Sequence, residues 1–298
     1  MPNDVGFIGL GHMGMFMVKN IAKAGYAVTV YDAKPETRDE ASAISGIEVA
    51  ASSADVAAQV PVLFTCLPTP ESVEAVYTGD KGIAEGGSAG LITCDCSTMP
   101  PELSRSIAEA MEASGIHHMD APIFGLPLQA RDGEVFFPVS GDERHVKTLA
   151  PFLDAMGRGH QYVGESGIAG ITKILQNGLG MAHAVLISEV LVTCERLGLD
   201  TDMFIELVKN VRGLGHSVYF ERFAEVLVSG EKVQAPFLPP AAKDAVLAMD
   251  LAHGVDLLAP MLEESAAVYR EAMERGWSKE EMLVVSRIAR GRKLSDAS

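Results

Sequence analysis

Lys173 is the only formally charged residue between Ser166 and Ser188, with His183 counted as neutral. An ammonium set among Ile171, Ile174 and Leu175 is costly to bury, and the ordinary relief is a depressed pKa. An amine brought toward neutrality can serve as general acid and base. Asn177 follows one turn along the same helix face, where its amide can hold a substrate beside the amine. Spacing alone fits equally well a lysine whose stem lies on apolar surface while its head reaches water.

A second chemical signal opens the chain. In "GLGHMG" the residues Gly9, Leu10, Gly11, His12, Met13 and Gly14 follow a strand pattern and start a helix pattern. Gly9 suits the tight turn, Gly11 lets backbone approach a pyrophosphate, and Gly14 packs helix on strand, with helix N–H groups facing phosphate. Asp32 ends the next strand pattern, where a carboxylate hydrogen-bonds the adenosine ribose. It would repel a 2′-phosphate and favours NAD over NADP, although Lys34 and Arg38 are close by. "GGSAG" at 86–90 formally matches a nucleophile elbow, but the apolar run follows Ser88 instead of preceding it, so Ser88 is read as loop.

These residues need elements to hold them. The first 160 residues alternate apolar runs ("VGFIGLG", "YAVTVYD", "VPVLFTCLP", "GLITCDCST", "HHMDAPIFG") with helical patterns, and "GEVFFPVSGD" and "HQYVGES" add two strands. Pro100 and Pro101 open one helix that Gly115 closes, and His117 and His118 are read as preceding a strand. Such alternation predicts an α/β domain with a parallel sheet. Beyond about residue 163 the pattern is helical: 167–196, 201–211, 216–228, 239–256, 260–275 and 278–291, with Asp200 and Ser278 as N-caps. The expected architecture is a Rossmann-type dinucleotide-binding domain, 1–163, then an all-α domain, 164–298, entered by a long interdomain helix.

Composition narrows the partners. Of 298 residues, 48% are apolar and 21% charged, a soluble globular profile. The net charge of −16, split as −11 over 1–162 and −5 over 163–298, argues against nucleic acid and anionic surfaces. The helix at 167–196 has the length of a membrane span, but Lys173, Gln176, Asn177, His183 and its glycines favour a buried interior helix over a membrane. Four cysteines make no disulfide framework; Cys94 and Cys96 read as buried thiols rather than metal ligands, and no metal site is expected. "MPNDV" offers no signal peptide, so cytoplasm is the expected compartment.

Six motifs in order resemble the β-hydroxyacid dehydrogenases typified by 3-hydroxyisobutyrate dehydrogenase, in the 6-phosphogluconate dehydrogenase superfamily: "FIGLGHMGMFMVKNI", "CLPTPESV", "DCSTMPPE", "DAPIFG", "KILQNG" and "KDAVLA". The likeness spans the whole chain. It implies an NAD(P)-dependent oxidoreductase acting on a hydroxyacid or the matching semialdehyde, and a homo-oligomer, dimer or tetramer. Lys173 would be the catalytic acid/base and Asn177 a substrate contact. Leu67, Pro68 and Thr98 would border the cofactor, with Thr98 also reaching the reacting centre, while Lys243 and Asp244 would come from the helical domain to cofactor and substrate. Hydride would pass between the carbinol carbon and nicotinamide C4 while Lys173 takes or returns the hydroxyl proton.

Two departures bear on substrate. The substrate loop of the family reads Ser-Gly-Gly where this chain has Phe124, Gly125 and Leu126, and Gln176 replaces the first of paired asparagines. The carboxylate-holding hydroxyl is gone and Leu126 adds bulk, so the expected substrate is larger or less polar than 3-hydroxyisobutyrate. His216, in "GLGHSV", is a further substrate-contact candidate; His117, His118, His160 and His253 are read as ordinary. The competing readings are an imine reductase, a sugar-phosphate decarboxylating relative, and a catalytically inactive dinucleotide-binding scaffold; retention of Lys173 argues against the first and last, and Phe124 and Leu126 against the second.

Overall fold

The protein, as a computed structural model, is described over residues 4–232 and 235–292. It forms two compact units, one through Lys173 and one from Ile174. The first begins β1 (Asp4–Ile8), α1 (His12–Lys23), β2 (Ala27–Tyr31), α2 (Pro35–Ser42), β3 (Ile47–Val49), α3 (Ser53–Ala57), β4 (Val62–Thr65), α4 (Pro70–Thr78) and α5 (Ile83–Gly86). It continues with β5 (Ile92–Asp95), α6 (Pro101–Glu112), β6 (His117–Asp120), α7 (Pro127–Arg131), β7 (Phe136–Ser140), α8 (Val146–Met156) and β8 (Gly159–Gly164).

The eight strands lie in one sheet, ordered β3-β2-β1-β4-β5-β6-β7-β8. Side chains alternate faces along each strand. Phe7, Val28 and Phe64 therefore pack with Met17, Ile21, Phe152 and Met156 on one face. Ile8, Leu63, Tyr77, Ile107 and Met111 fill the other. Covered on both faces, the strands can be short and almost wholly apolar.

Three features depart from the sequence reading in this unit. The short β3 pairs with β2 and was not legible as an apolar run. β7 runs antiparallel to β6, meeting it at Asp120 and Ser140, so the sheet is not wholly parallel. Within the link between them Phe124 and Phe136 form an antiparallel bridge. His117 and His118 lie within β6, and His118 is buried.

The second unit is helical. α9 (Ile168–Arg196) enters it, followed by α10 (Thr201–Val211), α11 (Val218–Ser229), α12 (Leu238–Gly254), α13 (Pro260–Glu274) and α14 (Ser286–Gly291). Asp200 caps α10 by accepting the Asp202 and Met203 N–H groups. Alanines 241, 245, 248 and 252 form the buried stripe of α12, and Gly178 of α9 packs against Ala248 with no room for a side chain.

The helix expected at 278–291 is mostly absent, and Ser278 lies in a turn. The Leu238 N–H donates to Glu280 and the Met282 N–H to Pro236. Those bonds hold 280–282 extended in a bridge to Phe237, leaving a 3-10 turn at Met282–Val285 and the short α14. α9 also differs from expectation. It is long and apolar enough to cross a membrane, yet only 44% of its most apolar window is buried. Leu175, Leu179, Leu186 and Val190 form an exposed apolar stripe, so α9 is not an interior helix on all sides.

Candidate active site

In the first unit the strand order reverses between β1 and β4, which is where open α/β sheets bind ligands. The glycine turn sits there. Gly9 has φ +93°, open to glycine and strained for other residues, and its N–H donates to the Tyr31 carbonyl at 2.9 Å. Any Cβ on Gly9 would overlap the Cys66 carbonyl oxygen and meet Leu67 at 3.0 Å, so the two strand ends touch only because this residue is glycine.

Gly14 lies in the first turn of α1, where a Cβ would overlap the Gly9 carbonyl oxygen and lie 3.2 Å from the Phe7 ring. Gly11, the N-cap of α1, has nothing within 4 Å of where a Cβ would be. Two glycines are thus required by the fold itself, and the third faces open space at a helix start. The first turn of α1 carries no acidic side chain. First-turn N–H groups lack helical acceptors and carry positive dipole, so the chemistry of the turn from Gly9 to Gly14 fits a dinucleotide pyrophosphate.

Asp32 follows β2 and binds backbone on both sides of it. Its Oδ2 accepts the Leu10 N–H at 2.7 Å and its Oδ1 the Lys34 N–H at 2.8 Å, tying the glycine turn to the second strand. Arg38 donates to the Asp32 and Ala33 carbonyls at 2.6 and 3.2 Å and stands over the Tyr31 ring at 5.6 Å.

Leu67 and Pro68 follow β4, and Thr98 follows β5. A buried carboxylate missed in the sequence organises these two loops. Asp95 accepts from Thr65 Oγ1 at 2.5 Å, Ser97 Oγ at 2.8 Å and the Ser97 N–H at 3.1 Å. Ser97 Oγ also accepts the Leu67 N–H at 2.8 Å. Burial pushes Asp95 up to about 6, against the opposing bonds from Thr65 and Ser97. Burial likewise raises the Cys66 thiol well above its ordinary value, which disfavours a reactive thiolate.

Lys173 is 8% exposed, and its Nζ lies 5.4 Å from the centroid of the Phe124 ring. Of the expected substrate residues in this unit, Phe124 is thus brought directly to the lysine. The Phe124 N–H donates to the Phe136 carbonyl at 2.8 Å and the Phe136 N–H returns the bond at 2.9 Å, which fixes the backbone that carries the ring. Gly125 packs against Val135, leaving 2.6 Å for a Cβ. Leu126 precedes α7, and its N–H donates to Gln129 Oε1 at 3.0 Å.

Within the second unit Asn177, Lys243 and Asp244 meet. Asn177 Nδ2 donates to Asp244 Oδ2 at 2.6 Å, and Lys243 Nζ lies 3.4 Å from Asp244 Oδ1. His216 Nε2 is 3.2 Å from Glu221. Ser88 is exposed loop. Among the described residues no group of three His, Cys, Asp or Glu side chains could hold a metal ion.

The chain matches known families along its length. Residues 4–164 match the NAD binding domain of 6-phosphogluconate dehydrogenase, and 167–288 the NAD-binding domain of NADP-dependent 3-hydroxyisobutyrate dehydrogenase. It is 28% identical to an NAD-dependent L-serine dehydrogenase of Pseudomonas aeruginosa, covering 96% of this chain and 97% of that protein. It is 32% identical to mitochondrial 3-hydroxyisobutyrate dehydrogenase of Homo sapiens, over 96% of this chain and 86% of that one. The structure of Mycobacterium tuberculosis 3-hydroxyisobutyrate dehydrogenase with L-serine shares the fold, with a TM-score of 0.88 at 24% identity over 98% of this chain and 100% of that one. With a dinucleotide cradle at its sheet switch point and relatives named as dehydrogenases over nearly its whole length, the chain belongs to the β-hydroxyacid dehydrogenases, NAD(P)-dependent oxidoreductases that reversibly transfer hydride between nicotinamide and a small hydroxyacid.

Proposed function

We propose that Lys173 is the acid/base of a 3-hydroxyacid dehydrogenase that prefers NAD and takes a substrate larger or less polar beside the reacting carbon than 3-hydroxyisobutyrate. The observation that carries this reading is the buried Lys173 amine held over the Phe124 ring. Bound nicotinamide supplies the hydride acceptor or donor. In oxidation Lys173 Nζ takes the proton of the substrate hydroxyl as the carbonyl forms; in reduction it returns that proton to the carbonyl oxygen. Thr98, Asn177 and Asp244 are assigned to substrate, with Phe124, Gly125 and Leu126 shaping the pocket wall. Gly9 to Gly14, Asp32, Leu67, Pro68, Thr98 and Lys243 are assigned to cofactor. Phe124 and Leu126 offer no hydroxyl to a carboxylate, which supports the less polar substrate.

NAD is favoured because the Asp32 carboxylate stands at the ribose end of the cradle, while Arg38 is already committed to two backbone carbonyls. We assign the enzyme to the cytoplasm, in keeping with four free cysteines. A homo-oligomer is supported by the apolar stripe of α9 together with exposed Met203, Leu207 and Val211 on α10. Light scattering that returned a monomer mass at micromolar concentration would remove this last assignment.

The central test compares the parent with Lys173→Ala, using NAD and NADP in turn against L-serine, 3-hydroxyisobutyrate and longer 3-hydroxyacids. General acid–base catalysis contributes about 10²–10⁴-fold, so kcat should fall by that order while NADH binding persists. Unchanged turnover in the variant would overturn the assignment of Lys173, and higher kcat/KM with NADP that of the cofactor.

A further inference from the structure

Lys173 stands in the second turn of α9, and the start of that helix must be held against the sheet. Asp120, at the end of β6, holds it. It is 2% exposed, and its carboxylate is met by hydrogen-bond donors and a histidine ring. Oδ1 accepts from Ser104 Oγ at 2.5 Å and lies 3.4 Å from His118 Nε2. Oδ2 accepts from Ser140 Oγ at 3.0 Å and from the Gly167 N–H at 2.8 Å. Ser140 Oγ in turn accepts the Ala169 N–H at 3.1 Å.

Gly167 and Ala169 are the entry to α9. The Gly167 carbonyl accepts the Ile171 N–H at 3.0 Å, so Gly167 occupies the N-cap position, and its φ of +89° is one that glycine alone adopts without strain. Glycine has no side chain with which to cap. Asp120 supplies the missing acceptor from 47 residues away, taking one N–H directly and a second through Ser140. A carboxylate at a helix N-terminus is further stabilised by the helix dipole. Despite its burial Asp120 is held below the ordinary carboxylate range, the neighbouring His118 ring and the bonds from Ser104 and Gly167 outweighing desolvation. The anchor is therefore ionised.

Its geometry reaches the reacting group from two sides. Lys173 lies six residues beyond Gly167, about 9 Å along the helix axis. From the other end of the same carboxylate, Ala121, Pro122 and Ile123 lead straight to Phe124, whose ring faces Lys173 Nζ at 5.4 Å. Both sides of the lysine's setting converge on one side chain.

We propose that Asp120 is a positioning residue for Lys173: its buried carboxylate pins the first turn of α9 to the end of β6 and so fixes the amine over Phe124. The proposal rests on the reading of Lys173 as acid/base. Displacing a catalytic group by about 1 Å can cost on the order of 10²-fold in rate.

The test pairs two small truncations with one charge change. Ser140→Ala and Ser104→Ala each remove one hydroxyl from Asp120, but only Ser140 also holds an N–H of α9. With whichever panel compound the parent oxidises fastest, kcat should fall about 3–10-fold in Ser140→Ala and stay within about twofold in Ser104→Ala, with NADH Kd unchanged in both. Asp120→Asn, measured below its melting temperature, should lose about 100-fold in kcat with little change in the KM for NAD. Should that variant not fold, the serine pair still decides. Equal kcat in the two serine variants, with only thermal stability reduced, would make Asp120 a fold residue and overturn the proposal. Retained turnover in Lys173→Ala would instead sink the acid/base assignment, an outcome separable from the first because the serine pair is compared with the parent directly.

Discussion

Substituting each of two glycines in the phosphate turn by alanine should separate folding from cofactor binding. At Gly14 the added methyl overlaps the Gly9 carbonyl oxygen and approaches Phe7 at 3.2 Å. The principal obstacle is backbone, so no rotamer change relieves it and β1 must move away from α1. Overpacking of this kind costs about 1–3 kcal/mol or more, of which alanine's better helix propensity returns about 1. A net loss near 2 kcal/mol corresponds to a fall of about 4–8 °C in Tm for a unit of this size. At Gly11 the methyl meets no atom within 4 Å, and φ −61° with ψ −167° suits alanine. The entropy gained from a stiffer unfolded chain, about 0.4–1 kcal/mol, roughly offsets the weaker N-cap, so Tm should stay within about 2 °C. The open space above Gly11 is nevertheless where a pyrophosphate must approach the helix N–H groups. Losing one charge-assisted bond of about 1.5–3 kcal/mol predicts NADH binding weaker by about 10–100-fold. Thermal unfolding of the cofactor-free protein and a fluorescence titration with NADH measure both quantities. Gly11→Ala binding NADH within twofold of the parent, or both variants melting together, would refute this division of roles.

Asp95 gives a pH signature of opposite sign to acid denaturation. Its folded value, raised to about 6 from 3.8, means the folded state holds the extra proton. The stability it contributes is full below about pH 4 and is lost as pH rises through 6, a change of about 3 kcal/mol. Asp95→Asn should therefore gain on the parent between pH 4.5 and 7.5 in urea unfolding, and parallel stability curves would count against it. Asp120, held below its ordinary value, works the other way, adding stability above pH 4 that is lost as pH falls through its folded value. The double change Phe124→Ser with Leu126→Gly should raise kcat/KM for 3-hydroxyisobutyrate about tenfold, the worth of one hydrogen bond to a carboxylate. The Leu126 N–H that donates to the Gln129 side chain is a backbone group that glycine keeps. An unchanged or lower preference for that substrate would show that the loop does not set specificity.

What the sequence disclosed and what it hid divide by range. The glycine turn was legible because all its requirements fall within six residues and Asp32 lies one strand away. α9 and its lysine were legible because a single charge stands out in a long apolar run. The exposed stripe of α9 was not, since hydropathy shows which residues share a face but not whether anything covers it. The segment 278–291 has helical periodicity, but its start is captured by a bridge to Phe237, more than 40 residues back in the chain. The two histidines opening β6 were placed ahead of the strand because neither is a strand former; pairing with β5 puts them inside it.

The anchor of α9 is the sharpest case. Asp120 meets Ser104, Ser140 and Gly167 across separations of 16, 20 and 47 residues, and no local period links them. A signal was nevertheless present. "HHMDAPIF" carries one carboxylate at the end of an apolar strand, and an ionised carboxylate cannot be buried without donors or a cation. Its own neighbours Met119, Ala121 and Pro122 have no side-chain donor, so beyond the His118 ring the donors had to come from distant segments. The same reasoning applies to Asp95 in "LITCDCS", where only Ser97 is local and Thr65 arrives from β4. In an α/β unit whose strands are buried on both faces, an acidic residue at a strand end thus marks a place where another segment docks. Here Asp95 and Asp120 hold the two segments that the proposed chemistry needs still: the loop after β4, and the helix that carries Lys173.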